Sequence, residues 1–591
     1  MYRLSLLLAG WCLCLVAYAQ DYHIRINQTG YLPSETKQAI VFSHSAKAPV
    51  MQLIAQQTGA VTAELSAKSV EADGWGTFPY HWQADFTKVE KPGWYYLATA
   101  DGKAQSIPFQ ISAQAFGGYA DTLLIFMRQQ RCGYNPHLDM VCHQRDGRAM
   151  FGPMPDSTFV DVSGGWHDAG DQLKYLITGS YATAHMLKAW ELYPEAFSDK
   201  VNALGQPGSN NIPDVLDEAR WGLDWIHKLH PAPDQLFHQV ADDRDHRGWK
   251  MPDQDNSDYG WGANSYRVAY FATGEPQGLR EHKSQATGLA NLAGRSAAAM
   301  AMAARLWAKM AADSAYSDKC AQAARSLYAL GRLKEGFQQG NSYGAPYRYS
   351  EDTWADDMEW GAAELYRLTG EEAYLEQAKA YARQAGTVSW MPLDTAEHYR
   401  YYPFVNMGHY ALYDLVDAGF QDTLAGYYRS GIEHTLERAQ SNAYGVGVPF
   451  IWCSNNLVTA LITQIILYED MTGDYRYHDL LVQQRDWLMG RNPWGTSMFT
   501  SLPAHGEYPL DVHTSVWALT REKVPGGLLD GPVYATIFGS LRGLKLNEPD
   551  EFAAFQNPYV VYHDDIGDYS TNEPTMDGTA GAILMMAYWG R

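Results

Sequence analysis

The stretch "ANLAGRSAAAMAMAARLWAKMAA", residues 290–312, indicates the fold class of most of this chain. Alanine, leucine, methionine, lysine and arginine are strong helix formers, so the stretch predicts a long helix. Its many alanines carry no bulky side chain, which allows neighbouring helices to approach closely. The stretch therefore predicts a helix that packs among other helices.

Helical hairpins follow the same stretch along the chain. The segments "WADDMEWGAAELYRLTG" (354–370) and "EEAYLEQAKAYARQAG" (371–386) predict two helices joined through Thr369-Gly370. The segments "NLVTALITQIILYEDMTG" (456–473) and "YRYHDLLVQQRDWLMG" (475–490) repeat that arrangement. No strand–helix alternation of the Rossmann or TIM type is evident. Several such pairs predict a helical toroid with aromatic loops gathered at one end.

The sequence pattern before residue 113 is different and predicts short strands. "YHIRINQTGYLP" (22–33) alternates, "AIVF" (39–42) and "MQLIA" (51–55) are short apolar runs, and "KPGWYYLATADGKAQSIPFQI" (91–111) predicts a hairpin turning at Asp101-Gly102. Short strands separated by turns are typical of a β-sandwich. We therefore expect an all-β domain over residues 20–112 and a helical domain over residues 113–591.

Composition and charge limit the class of partner. The 591 residues are 46% hydrophobic and 19% charged, as in a globular protein of more than one domain. A formal net charge of −22 argues against nucleic acid or an anionic membrane surface as a partner. The 19 Trp and 40 Tyr residues suit the apolar faces of sugar rings, although they serve cores and interfaces equally well.

The first twenty residues, "MYRLSLLLAGWCLCLVAYAQ", have the pattern of a secretory signal peptide. Arg3 precedes an apolar run from residue 4 to 16, and Ala17-Tyr18-Ala19 forms a cleavage pattern. We expect residues 1–19 to be removed and the protein to be exported, as a periplasmic or secreted protein. No later run is long and apolar enough to span a bilayer.

Two acidic clusters carry the chemistry. In "GGWHDAGD" (164–171), Asp168 and Asp171 are spaced to face the same side of a helical turn, where two carboxylates could hold and deprotonate one water. Taken alone, the same spacing favours a helix N-cap. "YHDDIGDYSTNEPTMDGTAG" (562–581) holds a second group of carboxylates that could equally be a solvated loop or a calcium loop. Hydrolysis of a glycosidic bond needs an acid and a base on opposite sides of the bond, and two separated clusters could supply them.

Three segments resemble one known family. "DVSGGWHDAGDQLKY" (161–175) and "YHDDIGDYSTNEPT" (562–575) closely resemble the two carboxylate motifs of glycoside hydrolase family 9, the inverting cellulases. "RINQTGYLPSETKQAIV" (25–41) resembles the start of the immunoglobulin-like module that precedes the catalytic domain in one branch of that family. The resemblance implies an N-terminal immunoglobulin-like sandwich followed by an all-α (α/α)6 barrel.

The same resemblance implies roles for three carboxyl groups. Asp171 would be the general base that activates water, Asp168 would help to orient that water, and Glu573 would be the general acid. An enclosed aromatic site and the surrounding negative charge would both keep Glu573 protonated near neutral pH. Five further residues are expected to bind the substrate: Trp166, His246, Trp249, His513 and Tyr569.

A structural zinc site is the main cofactor expectation. Cys132, Cys142, His143 and His167 form a Cys2His2 set of the kind that closes a tetrahedral zinc site. A disulfide between the two cysteines is the alternative in an oxidising compartment. The resemblance favours zinc, because the branch with the immunoglobulin-like module carries a structural zinc with these residue types in this order. Cys320 and Cys453 are expected to be small buried residues.

A calcium site is a further expectation. "EDTWADDMEW" (351–360) resembles the calcium-binding segment of the family, and an acidic helix N-terminus stabilised by the helix dipole is the alternative. The implied oxygen ligands are Asp352, Thr353 through its carbonyl, Asp356, Asp357 and the more distant Asp394.

The chain also departs from the family pattern. "GRNPWGTSMFTSLPAHGEYPLDVHTSV" reaches His513, but Val512 and Thr514 stand where the resemblance leads us to expect a histidine or an arginine. A lost guanidinium removes bidentate hydrogen bonds to sugar hydroxyls. The leading expectation is an endo-β-1,4-glucanase acting on cellulose, mixed-linkage glucan or xyloglucan, without an organic cofactor. The alternatives are an exo-acting β-glucosidase or glucosaminidase of the family, or a non-catalytic polysaccharide-binding protein.

Overall fold

The computed structural model describes residues 22–71, 74–310, 313–386 and 407–591. The expected signal peptide, residues 1–19, and the expected calcium ligand Asp394 lie outside these ranges. Among the helices that are described, none combines the length and the apolar character needed to cross a membrane.

Eight strands form the N-terminal domain in the order β1-β3-β6-β5-β4-β7-β8-β2. Their inward side chains, among them Val41, Leu53 and Leu97, form a hydrophobic core of their own. The hairpin expected at Asp101-Gly102 is present, with Gly102 at a φ of 70° and Ala98 paired with Gln105. The strands are β1 His23–Arg25, β2 Gly30–Tyr31, β3 Gln38–Ser43, β4 Val50–Ala55, β5 Val61–Ser69, β6 Tyr80–Asp85, β7 Gly93–Thr99 and β8 Phe109–Ile111.

The rest of the chain is dominated by helices arranged as a closed double ring. Six inner helices contact one another in the order α2-α4-α6-α8-α10-α14 and back to α2. Each of them also contacts at least one of the outer helices α1, α3, α5, α7, α9 and α11. The expected (α/α)6 barrel is therefore confirmed. The helices are α1 Tyr119–Gln129, α2 Leu176–Leu192, α3 Asp214–Leu229, α4 Ala290–Lys309, α5 Ser314–Leu333, α6 Ala355–Thr369, α7 Glu372–Ala385, α8 Met407–Tyr413, α9 Ala418–Gln440, α10 Ser454–Thr472, α11 His478–Leu488, α12 Ser515–Thr520, α13 Ala535–Ser540 and α14 Met576–Gly590.

Small residues explain why the inner ring closes. An inner helix touches protein on nearly every side, and α4 and α14 are accordingly buried along most of their length. At Gly294 of α4, an added Cβ would lie 2.7 Å from the backbone of Asp357 in α6. Helix α4, which covers Ala290–Lys309 of the alanine-rich stretch, is thus an inner helix, as the composition predicts.

Several short strands join the loops at one end of the barrel, and none was expected from the sequence. They have few residues and come from distant segments, so they leave almost no alternating pattern to read. Strands β11, β14, β13 and β12 form one sheet in that order, and the others form pairs β9–β10, β15–β18 and β16–β17. Their bounds are β9 Tyr134–Asn135, β10 Met140–Val141, β11 Asp146–Met150, β12 Lys174–Tyr175, β13 Phe237–Val240, β14 Arg267–Phe271, β15 Leu528–Leu529, β16 Val533–Tyr534, β17 Val560–Val561 and β18 Pro574–Thr575.

Part of the interface between the two domains is polar and buried. The Arg485 guanidinium of α11 donates to both carboxylate oxygens of Glu35, over 2.8 and 3.0 Å. Asn27 donates its side-chain amide to Asp486, and the backbone N–H of Gln28 donates to the carbonyl of Met489. These contacts fix the β domain against the outer helix α11.

Candidate active site

The two acidic motifs each lead into an inner helix of the barrel. Asp168 and Asp171 lie just before β12 and α2, whereas Glu573 lies just before β18 and α14. Because α2 and α14 are neighbours in the ring, the motifs meet at the same end of the barrel. The backbone N–H of Met576 donates to the carbonyl of Asp168 over 2.9 Å and joins them directly.

A cleft of about 1190 Å³ opens at this point. All three expected catalytic carboxyl groups line it, together with four of the five expected substrate-binding residues. Six tyrosine and tryptophan rings lie in its wall, which suits the binding of a ligand with apolar faces. The residues that line the cleft include Asp168, Asp171, His246, Trp249, Tyr347, Tyr349, Trp452, His513, Asp530, Tyr569 and Glu573.

Asp168 is held on both of its oxygens. Thr178 donates to Oδ1 over 2.7 Å, and the hydroxyl of Tyr349 donates to Oδ2. Burial, followed by the charges of Asp171 and Asp577, raises the pKa of Asp168 well above its ordinary range. A carboxyl group held this rigidly can orient a neighbouring water, which fits the role expected of Asp168.

Asp171 is more open to the cleft. Its Oδ1 accepts the backbone N–H of Leu173 over 2.8 Å, and its Oδ2 lies 3.5 Å from Nε2 of His246. Burial favours neutral imidazole, but the hydrogen bond and charge of Asp171 outweigh it and raise the pKa of His246. His246 is therefore placed to pair with the carboxylate of Asp171 on the side of the cleft where the expected base lies.

Glu573, the expected general acid, must be protonated before it reacts, whereas a general base must be ionised. Burial raises the pKa of Glu573 well above its ordinary range, and the nearby carboxylates of Asp530 and Asp171 raise it further. The backbone N–H of Gly170 donates to Oε1 of Glu573 over 2.9 Å and fixes its position. Glycine is needed here, since an added Cβ would lie 2.3 Å from the carbonyl oxygen of His513. The environment thus favours the protonated form of Glu573, the form that a general acid needs.

Aromatic rings extend along the cleft from Trp249 to Trp452. The Trp249 and His513 ring centroids are 4.6 Å apart, and His513 and Tyr569 are 5.9 Å apart. Tyr569 then lies 5.9 Å from Trp452. This row of rings could contact several consecutive sugar units of a chain.

Trp166 does not belong to this wall. Its ring is buried in the core, its indole N–H donates to Glu218 over 2.8 Å, and it does not line the cleft. Glu218 belongs to α3. Trp166 therefore packs the loop against α3 and is not placed to bind substrate.

Val512 and Thr514, the two departures from the family pattern beside His513, have local structural roles. Val512 is buried in the hydrophobic core, whereas Thr514 accepts the backbone N–H of Trp517 and caps α12. Neither side chain is among the residues that line the cleft. Because Val512 and Thr514 do not reach the cleft, its wall lacks any contact that a histidine or an arginine would make from these positions.

Four side chains of one cluster satisfy the geometry of a metal site. Among the residues described, Cys132, Cys142, His143 and His167 form the one group of at least three Cys, His, Asp or Glu ligand atoms within 4.8 Å of one another. Nδ1 of His143 lies 3.6 Å from Sγ of Cys132 and 3.2 Å from Nε2 of His167, which lies 3.8 Å from Sγ of Cys142. Bonds of about 2.0–2.3 Å to a tetrahedral zinc imply separations of about 3.3–3.8 Å.

The surroundings of this cluster also suit a metal. Both cysteines are free of any disulfide, so the alternative pairing is not formed. Burial alone would raise the pKa of Cys132, but Cys142 and the positive charge of Lys174 outweigh it and hold that pKa well below its usual range. Nε2 of His143 faces Asp255 at 3.2 Å, the kind of outer contact that orients a ligating imidazole.

The expected calcium segment is built around an arginine. Arg295 of α4 donates to both carboxylate oxygens of Asp357, over 2.8 and 3.0 Å, and to Glu351 over 2.6 Å. Asp352 and Thr353 precede α6, and Asp356 is in its first turn. In this arrangement, the positively charged group beside Asp357 is the guanidinium of Arg295. The described acidic residues of the segment do not form a metal-like cluster of ligand atoms.

Sequence reasoning missed several residues of the cleft. Tyr347 and Tyr349 come from a loop before α6, Trp452 precedes α10, and Asp530 follows β15. The only signal for the three aromatic residues was the aromatic richness of the long loops, and the sequence held no signal for Asp530. Cys320 and Cys453 are both buried, as expected, and Cys453 also donates its thiol to Asp530.

Comparison with known protein families agrees with this geometry. The sequence model described as Glycosyl hydrolase family 9 matches residues 116–586, which is most of the chain. This chain belongs to glycosyl hydrolase family 9. A second model, the cellulase N-terminal ig-like domain, matches residues 19–104 and covers most of the β domain.

Similar proteins include several endoglucanases. Endoglucanase C of Cellulomonas fimi is 26% identical over 96% of this chain, and the chain spans 51% of that relative. A xyloglucan-specific endo-β-1,4-glucanase of Bacteroides ovatus is 25% identical, covering 95% of this chain and 92% of the relative. The crystal structure of a metagenome-derived family 9 endoglucanase is 26% identical, with a TM-score of 0.76 over 97% of this chain and 99% of its own.

Proposed function

We propose that this family 9 chain is an exported endo-β-1,4-glucanase that hydrolyses β-glucan with inversion. One observation carries the proposal: Asp171 and Glu573 line one cleft, with His246 3.5 Å from the carboxylate of the first and with burial raising the pKa of the second. The signal-peptide pattern of residues 1–19 supports export. Residues 20–112 would form the immunoglobulin-like domain and residues 113–591 the catalytic domain.

In the proposed reaction, Asp171 removes a proton from a water molecule that Asp168 helps to orient. The water oxygen bonds to the anomeric carbon from the face opposite the glycosidic oxygen. The bond between the anomeric carbon and the glycosidic oxygen breaks, and Glu573 gives its proton to that leaving oxygen. One water is consumed, and the new hydroxyl has the inverted configuration.

The row of rings from Trp249 to Trp452 supports a β-linked glucan as substrate. Flat rings pack against the apolar faces of successive glucose units, and His246 and Tyr569 add polar edges. The relatives named endoglucanases, including the xyloglucan-specific one, favour the same substrate class.

A structural zinc ion is part of the proposal. Cys132, Cys142, His143 and His167 would hold it, and a closed set of four ligands leaves no position for catalysis. Zinc would tie the loop that carries Asp168 to the segment around Cys132. Its contribution would be to the position of Asp168 rather than to any bond-making step.

Product analysis tests the proposal. The purified chain is incubated with carboxymethyl cellulose, xyloglucan, lichenan and chito-oligosaccharides, and the anomeric proton signals of the first products are followed by NMR. We expect a rapid loss of viscosity, mixed oligosaccharides and the α-anomer as first product. Release of monomer alone would contradict endo cleavage, and first formation of the β-anomer would contradict inversion.

A further inference from the structure

The loop between β13 and β14 holds three buried charged side chains that the proposed reaction does not use. Asp245, Lys250 and Asp255 have side chains that are 1%, 9% and 5% exposed. The same loop carries His246 and Trp249, which line the cleft. A fixed position of this loop therefore matters to the site.

Lys250 joins the two buried carboxylates. Its Nζ lies 2.9 Å from Oδ1 of Asp245 and 3.0 Å from Oδ1 of Asp255. Nζ also donates to the carbonyl of Asp245 over 3.0 Å and to the hydroxyl of Ser257. Burying an ammonium group is costly unless it is paired and hydrogen-bonded, and here it is both. Although Lys250 lines the cleft, its ammonium is thus committed to its own loop.

On one side, this pairing reaches the cluster of expected zinc ligands. Oδ2 of Asp255 lies 3.2 Å from Nε2 of His143, while Nδ1 of the same ring lies 3.6 Å from Sγ of Cys132. A carboxylate on the free nitrogen of a ligating imidazole fixes the orientation of the ring. Lys250 holds the other oxygen of that carboxylate.

On the other side, the pairing reaches the expected general base. Oδ2 of Asp245 accepts the backbone N–H of Gln172, the residue after Asp171, over 2.8 Å. The side-chain amide of Gln172 donates to the carbonyl of Lys250 over 2.7 Å. His246, the residue after Asp245, faces the carboxylate of Asp171 at 3.5 Å. The loop thus holds the backbone beside Asp171 and also presents its imidazole partner.

We infer that Lys250 is a positioning residue that connects the zinc cluster to the general base. Its two arms are Asp255, which holds the ring of His143, and Asp245, which holds the backbone beside Asp171. The inference rests on the proposed roles of zinc and of Asp171, and it adds no chemical step to the reaction.

This connection differs from the direct one along the chain. His167 is an expected zinc ligand and immediately precedes Asp168, so zinc acts on the water-orienting residue through one peptide bond. Through Lys250, zinc also acts on the base. Loss of zinc would then disturb both aspartates, by separate routes.

The test uses Lys250→Met, which removes the charge and keeps an unbranched side chain. Lys188→Met is the matched control, because Lys188 is also buried between two carboxylates, with Glu191 at 2.6 Å and Glu364 at 3.2 Å. Lys188 lies about 18 Å along α2 from its first residue, away from the cleft.

Two quantities are measured for each variant: zinc affinity, by competition with a chromogenic chelator, and kcat on a cello-oligosaccharide. We expect Lys250→Met to weaken zinc binding about tenfold and to lower kcat at least about tenfold, the lower end for a lost outer contact of a metal site. Lys188→Met should change neither quantity by more than about twofold. A loss of kcat with unchanged zinc affinity would overturn the connection, and so would wild-type values of both.

Comparing zinc-loaded with zinc-depleted protein separates a connection from a general loss of structure. Depletion should lower kcat of the wild-type chain by both routes, but that of Lys250→Met only by the route through Asp168. The ratio of loaded to depleted kcat should therefore be at least about threefold smaller in Lys250→Met than in the wild type. Lys188→Met should keep the wild-type ratio. An equal ratio in all three proteins would overturn the inference and leave the proposed hydrolysis standing, whereas a wild-type chain that binds no zinc would refute both the inference and the proposed zinc site.

A final measurement needs no variant and so does not depend on whether Lys250→Met folds. Hydrogen exchange is compared for wild-type protein with and without zinc in residues 243–250, a segment that holds none of the expected zinc ligands. Its backbone N–H groups include those of Asp245 and Arg247, which donate within the loop. We expect exchange there to become at least about fivefold faster without zinc, whereas β13 should not change. Unchanged exchange in residues 243–250 would contradict the inference.

Discussion

Gly170 donates its backbone N–H to Oε1 of Glu573 over 2.9 Å, across 403 positions of sequence. The next residue after Gly170 is the expected base, and Glu573 is the expected acid. The contact therefore sets the position of the acid relative to the base through one rigid peptide group. It depends on the pairing of α2 and α14 as neighbours in the inner ring.

We predict that Gly170→Ala lowers kcat by at least about 100-fold. The added Cβ would lie 2.7 Å from Oε1 of Glu573 and 2.3 Å from the carbonyl oxygen of His513, so the loop or the acid must move. A displacement of about 1 Å at reacting groups can cost two orders of magnitude in rate. Steady-state kinetics on a β-glucan measures the effect. Gly426→Ala on the outer helix α9 is the control, because the nearest atom to its added Cβ is 3.8 Å away; equal rates for both variants would contradict the prediction.

The raised pKa of Glu573 predicts the form of the pH dependence. Glu573 must be protonated to give its proton, so activity should be lost as the pH rises through its pKa. Because burial and neighbouring carboxylates raise that pKa well above 4.5, the basic limb should lie well above the usual range of a glutamate. The measurement is kcat/KM against pH. A basic limb near the ordinary value for glutamate would contradict the account.

Removal of the metal should destabilise the chain and weaken catalysis together. We expect about one zinc per chain by elemental analysis. Chelation should lower the melting temperature by several degrees, because bound metal stabilises only the folded state. Cys142→Ser should lose zinc, whereas Cys320→Ser, at a buried cysteine outside the cluster, should retain it. A full zinc content in Cys142→Ser would rule out this ligand set.

Much of the fold could be predicted from sequence, because inner helices carry a strong local signal. The stretch at 290–312 was expected to be a packed helix, and α4 covers Ala290–Lys309. Strands of two residues carry no such signal, and this is why Asp530, placed by β15 and β18, was missed. The prediction for Trp166 was wrong for another reason: its place in the acidic motif does not reveal that its ring packs against α3, where its indole N–H donates to Glu218.

The interface between the domains should contribute measurably to stability. We predict that Glu35→Gln lowers the free energy of unfolding by about 3 kcal/mol, because the buried Arg485 loses its paired carboxylate. Asp486 still accepts from Arg485, which keeps the loss at the lower end of the range for such pairs. Denaturant unfolding measures the change. Arg325→Gln, which breaks a largely exposed pair with Glu371, is the control and should cost under about 1 kcal/mol.

One measurement tests most directly whether Asp171 is the general base and Glu573 the general acid. Hydrolysis of a cello-oligosaccharide is compared with that of an aryl cellobioside whose leaving group needs no protonation, for Glu573→Gln and Asp171→Asn. We expect Glu573→Gln to lose about 10²–10⁴-fold on the oligosaccharide but to keep most of its rate on the aryl substrate. Asp171→Asn should lose activity on both. A large loss by Glu573→Gln on the aryl substrate, or near wild-type rates for Asp171→Asn, would contradict the assignment.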